Sequence, residues 1–183
     1  MEDKQHLTDR QIQQVTALLR ELEPGYLPEP IFFELSRLMV VPVVELVPLR
    51  INNQGTEVLL LDRGDDDPYW PGTVHVPGTV FMATDTTGNL KDALQRLLEG
   101  ELKGVRINGG PQFVRAVFHQ TRRGKQLANV HFVELAEKPE VGAFYSVDEL
   151  PENTMDHQVG FIKDAARVFW AKKTTEGSAT ITP

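Results

Sequence analysis

The chain has 183 residues, a formal net charge of −7 and a pI near 5.2. That length suits one domain with an extension, and 40% hydrophobic residues with nine Phe suffice for a sizeable core. The absence of cysteine excludes disulfides, thiol catalysis and thiolate metal sites, and an acidic chain without a long basic run argues against generic nucleic-acid binding.

The polar start, Met1-Glu-Asp-Lys-Gln-His6, lacks a signal-peptide pattern. The longest apolar stretch, Leu38 to Val44, is interrupted by Pro42 and too short to span a bilayer. The expected address is the cytoplasm, with neither membrane nor nucleic acid as partner. Thr8-Asp-Arg-Gln11 reads as a capping box, and Ile12, Val15, Leu19 and Leu22 give a helical stripe behind it. After the loop Glu23 to Pro28, Pro30 starts a second short helix through Ile31, Phe32, Leu35 and Leu38. Residues 1–37 thus form an N-terminal helical extension. Its apolar faces are expected on the main domain or on another subunit, which makes a homodimer through these helices one reading.

The main domain is expected over residues 38–172. Val40 to Leu49 and Glu57 to Asp62 read as strands about the turn Asn52 to Gly55, and Thr73 to Phe81 is extended with a turn at Pro77-Gly78. A helix is predicted over Leu90 to Leu102. Strands Phe113 to His119 and Leu127 to Leu135 join through Thr121-Arg-Arg-Gly-Lys125 as a hairpin. A last helix runs from Asp156 to Lys172, and the Thr/Ser/Gly-rich residues 173–183 read as a disordered tail. The order β-β-β-α-β-β-α points to a mixed α/β sandwich.

One residue on the Leu90 helix breaks its pattern. At about 100° per residue, Leu94, Leu97 and Glu101 all fall within roughly 40° of Leu90, whereas Glu99 faces the opposite side. An inward carboxylate is costly without a partner, and a divalent cation is one such partner. The competing reading ends the helix at Gly100 and turns Glu101 outward.

Several features around that helix line up. Asp67-Pro-Tyr-Trp70 is followed by Val76-Pro-Gly78, then by the helix with Arg96 and Glu101. Phe144-Tyr-Ser-Val-Asp-Glu-Leu-Pro151 precedes the final helix. This arrangement resembles the Nudix hydrolase family, whose signature is a Pro-Gly-Gly turn and a glutamate ahead of a helix with an Arg-Glu and a Glu-Glu pair. The resemblance implies an α/β class fold, an α/β/α sandwich around a mixed sheet. It also implies cleavage of nucleoside diphosphate derivatives with Mg²⁺ or Mn²⁺.

In this chain Thr79 replaces the second glycine, Asp85 stands at the first glutamate and Thr86-Thr-Gly88 is extra. Leu97 and Gly100 replace two glutamates, while Arg96 and Glu101 match. The resemblance therefore assigns the metal to Glu101 with a carbonyl of Gly78 or Thr79. One carboxylate can hold Mg²⁺ if carbonyl and phosphate oxygens complete the shell. The run Gln95 to Leu102 also looks like the altered box of GDP-mannose mannosyl hydrolases, which favours a nucleotide sugar. The loop Ala136 to Gly142, where that subgroup carries its catalytic histidine, has none.

Each further candidate has two readings. Asp85 is a metal or water ligand, or a turn residue. Arg96 orients Glu101 or a phosphate, or pairs with Glu99. His119 is a general base, or a strand-end histidine that only hydrogen-bonds. Arg115, Arg122, Arg123 and Lys125 grip a diphosphate, or belong to a solvated turn. Trp70 stacks on a base or sugar, or packs at the core edge. Two other functions stay open: a nucleotide-binding module that has lost its catalytic carboxylates, and an interaction protein built on the N-terminal helices.

Overall fold

Apolar side chains alternate between two faces along β1 (Val41–Asn52), and both faces are buried. In the computed structural model, which describes residues 7–137 and 140–179, this strand is the middle of a seven-stranded sheet. The path runs β3 (Val74–His75), β2 (Gly55–Asp62), β1, β6 (Gly124–Leu135), β5 (Ile107–Thr121). Two short strands lie off it: β4 (Gly78–Val80) pairs with β1, and β7 (Ala143–Ser146) with β2. The β1–β6 pairing is parallel and all others are antiparallel, so the sheet is mixed.

A helix covers each face. Phe161, Ile162, Ala165 and Phe169 of α4 (Asp156–Ala179) pack on Val43, Val47, Val58 and Val130. Ala93 and Leu97 of α3 (Lys91–Glu99) pack on Val44, Leu46, Leu59 and Val133, together with Leu102. Each fully buried side chain of this kind is worth about 1.5–3 kcal/mol, so these two layers hold the α/β/α sandwich.

The N-terminal extension divides in two. α1 (Asp9–Arg20) has its capping box, Thr8 with Gln11, yet no residue of it is buried. α2 (Glu29–Leu38) seats against the β5–β6 hairpin. At Gly124 a Cβ would lie 2.0 Å from the Ser36 carbonyl oxygen, so only glycine admits the helix backbone there.

Some boundaries differ from the sequence reading. The helix expected to Leu102 ends at Glu99, because the chain turns at Gly100 and the Leu102 amide closes back on the Leu97 carbonyl at 3.0 Å. The extended run Thr73 to Phe81 divides into β3 and β4, with the Leu46 amide bonding the Pro77 carbonyl between them. The last helix continues past Lys172 through Ala179, so part of the tail read as disordered is helical; residues 180–183 lie outside those described, as do residues 1–6. No helix among the described residues is long and apolar enough to cross a membrane.

Candidate functional site

Glu45 is the one charged residue between Val44 and Leu46 in β1, and it is 6% exposed. Alternation sets it on the α4 side of the sheet, where Gln158 Nε2 donates to its Oε2 at 2.8 Å. Its register partner on β4 is Gly78. A Cβ at position 78 would lie 2.9 Å from Glu45 Oε2, so the glycine leaves room for the carboxyl. Glu101, in the turn after α3, takes a hydrogen bond from the Gly78 backbone. Two carboxyls therefore meet at one residue of β4. Burial pushes Glu45 up to about 8, opposed by the Gln158 hydrogen bond and by Arg123. Burial likewise pushes Glu101 up to about 7, opposed by the Gly78 hydrogen bond and Arg63.

Glu45 and Gly78 line a cavity of about 660 Å³, within the usual range for small-molecule sites. Its walls come from β1, β4, the loop after β2, the hairpin, the start of α4 and the N-terminal extension. The loop is set by Asp67, whose Oδ1 accepts from the Tyr69 and Trp70 amides at 2.9 and 2.8 Å and whose Oδ2 pairs with Arg63. This turn presents Trp70, and Arg123 and Arg63 lie 4.9 and 5.4 Å from the centre of its ring. His75 Nδ1 lies 2.8 Å from the Val76 carbonyl, which can only accept, so the proton sits on Nδ1 and Nε2 is the free acceptor. Burial holds both His75 and His157 down at about 4, so both rings are neutral near pH 7.

No protein-family model and no curated protein sequence matches the chain. Solved structures do match. A MutT/Nudix family protein from Listeria innocua aligns with a TM-score of 0.56 at 14% identity, over 74% of this chain and 97% of that one. The Nudix domain of Shewanella oneidensis NrtR, solved with ADP-ribose, gives 0.54 at 15% identity over 78% and 99%. An Ap4A hydrolase from C. elegans gives 0.52 at 14% identity over 72% and 99%.

The chain has the Nudix fold. Identities of this size establish the fold alone, and within it the expected site residues separate into two groups.

Gly78, Thr79 and Trp70 line the cavity, and Glu101 reaches Gly78 from the turn after α3 without lining it. The helix does end at Gly100, but Glu101 turns inward rather than out. Asp85 and Arg96 are occupied with each other. Arg96 Nη1 bonds Asp85 Oδ1, and its Nη2 reaches Asp85 Oδ2 at 3.0 Å and the Val80 carbonyl at 2.9 Å. The Met82 amide also donates to Asp85, and the Arg96 bond holds that carboxyl below its usual range. Both therefore tie the loop between β4 and α3 to the helix; Arg96 bonds Asp85 and Val80 rather than Glu101 or Glu99, and Glu99 bonds Gln95 instead.

His119 sits in β5 with its ring 5.3 Å from both His157 and Phe161, and neither of its buried nitrogens has a partner. It is not among the cavity-lining residues. Arg115 pairs with Asp164 of α4 at 2.8 Å, also away from the cavity. Arg122 donates to the Tyr69 carbonyl at 2.7 Å and ties the hairpin to the aromatic turn. Its neighbour Arg123 is the arginine that enters. Glu45, Arg63 and Gln158 were not singled out in the sequence. The signal for Glu45 was a lone acid in an apolar strand.

Proposed function

We propose that the protein is a divalent-metal-dependent hydrolase of a nucleoside diphosphate derivative, with a nucleotide sugar as the favoured class. The observation that carries this reading is the meeting of Glu45 and Glu101 at Gly78: Glu45 and Gly78 line a cavity that also holds Arg63, Arg123 and Trp70, and Glu101 stands beside Gly78 outside that lining.

The donor set fits one hard cation. Mg²⁺ is commonly held by one or two carboxylates with substrate phosphates, and two carboxyls kept from water gain from a nearby positive charge. Among the described residues no group of three or more His, Cys, Asp or Glu side chains converges, so backbone carbonyl and substrate phosphate oxygens would have to complete the shell of an ion. Glu101, with the carbonyl of Gly78 or Thr79, would hold Mg²⁺ or Mn²⁺. The bound cation would supply charge neutralisation and polarisation of the diphosphate.

The chain's own groups do the rest. Arg63 and Arg123 attract and orient the phosphates. Trp70 offers a flat face to a base or sugar. Glu45 is the strongest base among the cavity carboxyls, because burial raises its proton affinity, and it takes the proton from the attacking water. Gln158 holds it in place. Titration of the free protein with Mn²⁺ is expected to show at most one tight ion, and Glu101→Gln should abolish metal-dependent turnover. Two or more tight ions, or turnover that survives Glu101→Gln, would overturn the reading.

A second reading has its own support. Asp85, the residue at the box position of the first glutamate, is locked by Arg96, and Leu97 is buried in the core. A module that binds a nucleotide without cleaving it would keep the cavity and lose turnover. The exposed apolar face of α1, with Ile12, Val15 and Leu19, supports self-association in either reading. Light scattering on Val15→Glu tests that, and a mass equal to the full chain's monomer in both proteins would reject it.

A further inference from the structure

The cavity is completed by a segment outside the sandwich. Phe32, Phe33 and Ser36 of α2 line it. The Phe33 ring meets Tyr69 edge-on with centres 4.8 Å apart, and Phe32 follows at 5.9 Å. Tyr69 continues to Trp70 at 5.7 Å. Four rings, two from the extension and two from the sandwich, thus form one aromatic wall. Arg123 lies between its halves, 4.9 Å from the Trp70 ring centre and 5.9 Å from that of Phe32.

Arg123 forms no ion pair among the described residues, and its buried Nε has no hydrogen-bond partner; the buried Nε of Arg63 lacks one too. A buried donor without an acceptor is costly. Arg63 already pairs with Asp67, so it is Arg123 that marks the place of an anion the described residues do not provide. Arginine suits phosphate oxygens, and aromatic faces suit a planar ring, because stacking needs no particular hydrogen-bond pattern.

We propose that the N-terminal extension is one wall of the ligand site, with Phe33 receiving the planar ring of a nucleotide whose phosphate lies on Arg123. This rests on the nucleotide reading above and adds to it the part of the chain that selects the ring. Gly124 is the positioning residue, because the approach of Ser36 to the hairpin sets where α2 stands. The shared chemistry is an anion on an apolar body, which a prenyl diphosphate also offers, and the four rings favour the planar one.

The test is a binding measurement without metal, so that turnover plays no part. The chain has two Trp, and Trp170→Phe leaves Trp70 as the fluorescent reporter. ADP, inorganic pyrophosphate and geranyl diphosphate are titrated in EDTA. ADP is expected to quench Trp70 and to bind tightest. Phe33→Ala should weaken ADP by about tenfold or more while leaving pyrophosphate within about twofold, and Arg123→Gln should weaken both. Gly124→Ala should weaken ADP as Phe33→Ala does. Should that variant fail to fold, Phe33→Ala decides alone.

ADP affinity unchanged in Phe33→Ala, no ADP binding, or tighter binding of geranyl diphosphate would each overturn the proposal. Loss of turnover with this binding pattern intact would reject only the hydrolase reading. Turnover of a nucleotide substrate with Phe33→Ala unchanged would reject only this one.

Discussion

Glu45 and Gly78 face each other across β1 and β4 so closely that a Cβ on residue 78 would come within 2.9 Å of Glu45 Oε2. The conflict is with the end of a flexible side chain, and Gly78 does not need a left-handed backbone. Gly78→Ala is therefore expected to keep its stability within about 1 kcal/mol while displacing the carboxyl, with kcat reduced about tenfold or more. Thermal melting beside a turnover assay checks this. A variant with full activity would detach Glu45 from the chemistry.

Glu45→Gln keeps an oxygen to accept from Gln158 and removes the base. It is expected to lower kcat by about 10²–10⁴ with KM little changed. In the wild type kcat/KM should rise with pH to a plateau as Glu45 loses its proton, and this limb should vanish in the variant. A steady-state pH profile on both proteins decides it.

Asp85→Asn breaks the pair with Arg96, whose Asp85 side chain is only 8% exposed. It should cost about 2–4 kcal/mol of stability and leave kcat close to wild type well below the melting point. Urea unfolding and a turnover assay at low temperature measure the two separately. Lost activity in a fully stable protein would return Asp85 to the chemistry.

His157 is held down at about 4, first by burial and then by its neighbours His119, Arg123 and Arg63. The unfolded chain takes up this proton near 6.5 and the folded one only near 4, so the unfolded state binds more protons between those values. Stability should therefore fall as pH drops from 6.5 toward 4, and His157→Phe should reduce the fall by about 1–3 kcal/mol. Melting curves across that window test the sign and the size.

Most of the fold was legible because periodicity survives in the sequence. Leu94 and Leu97 of α3, the start of α4 at Asp156, the capping box and the 121–125 hairpin all stand where the pattern placed them, while Leu90 and Glu101 fall outside α3. The site was legible only in part. Glu101 was visible as an acid on an apolar stripe, but its inward position comes from the turn at Gly100. Glu45 carries a comparable signal as an acid within the apolar run of β1, but no box position marks it. Arg122 and Arg123 are adjacent on a tight turn, and which of them enters the cavity depends on the strand twist and on the Tyr69 carbonyl. The Asp85–Arg96 pair spans eleven residues of loop and helix, a separation at which no local pattern marks a partner.

The most direct test of the central claim is phosphorus NMR on the purified protein with Mg²⁺ and a panel of nucleotide sugars, ADP-ribose, dinucleoside polyphosphates and NADH. The account predicts new phosphate signals with at least one of these, abolished in both Glu45→Gln and Glu101→Gln. Turnover that survives both substitutions, or no turnover with any member of the panel, would contradict it.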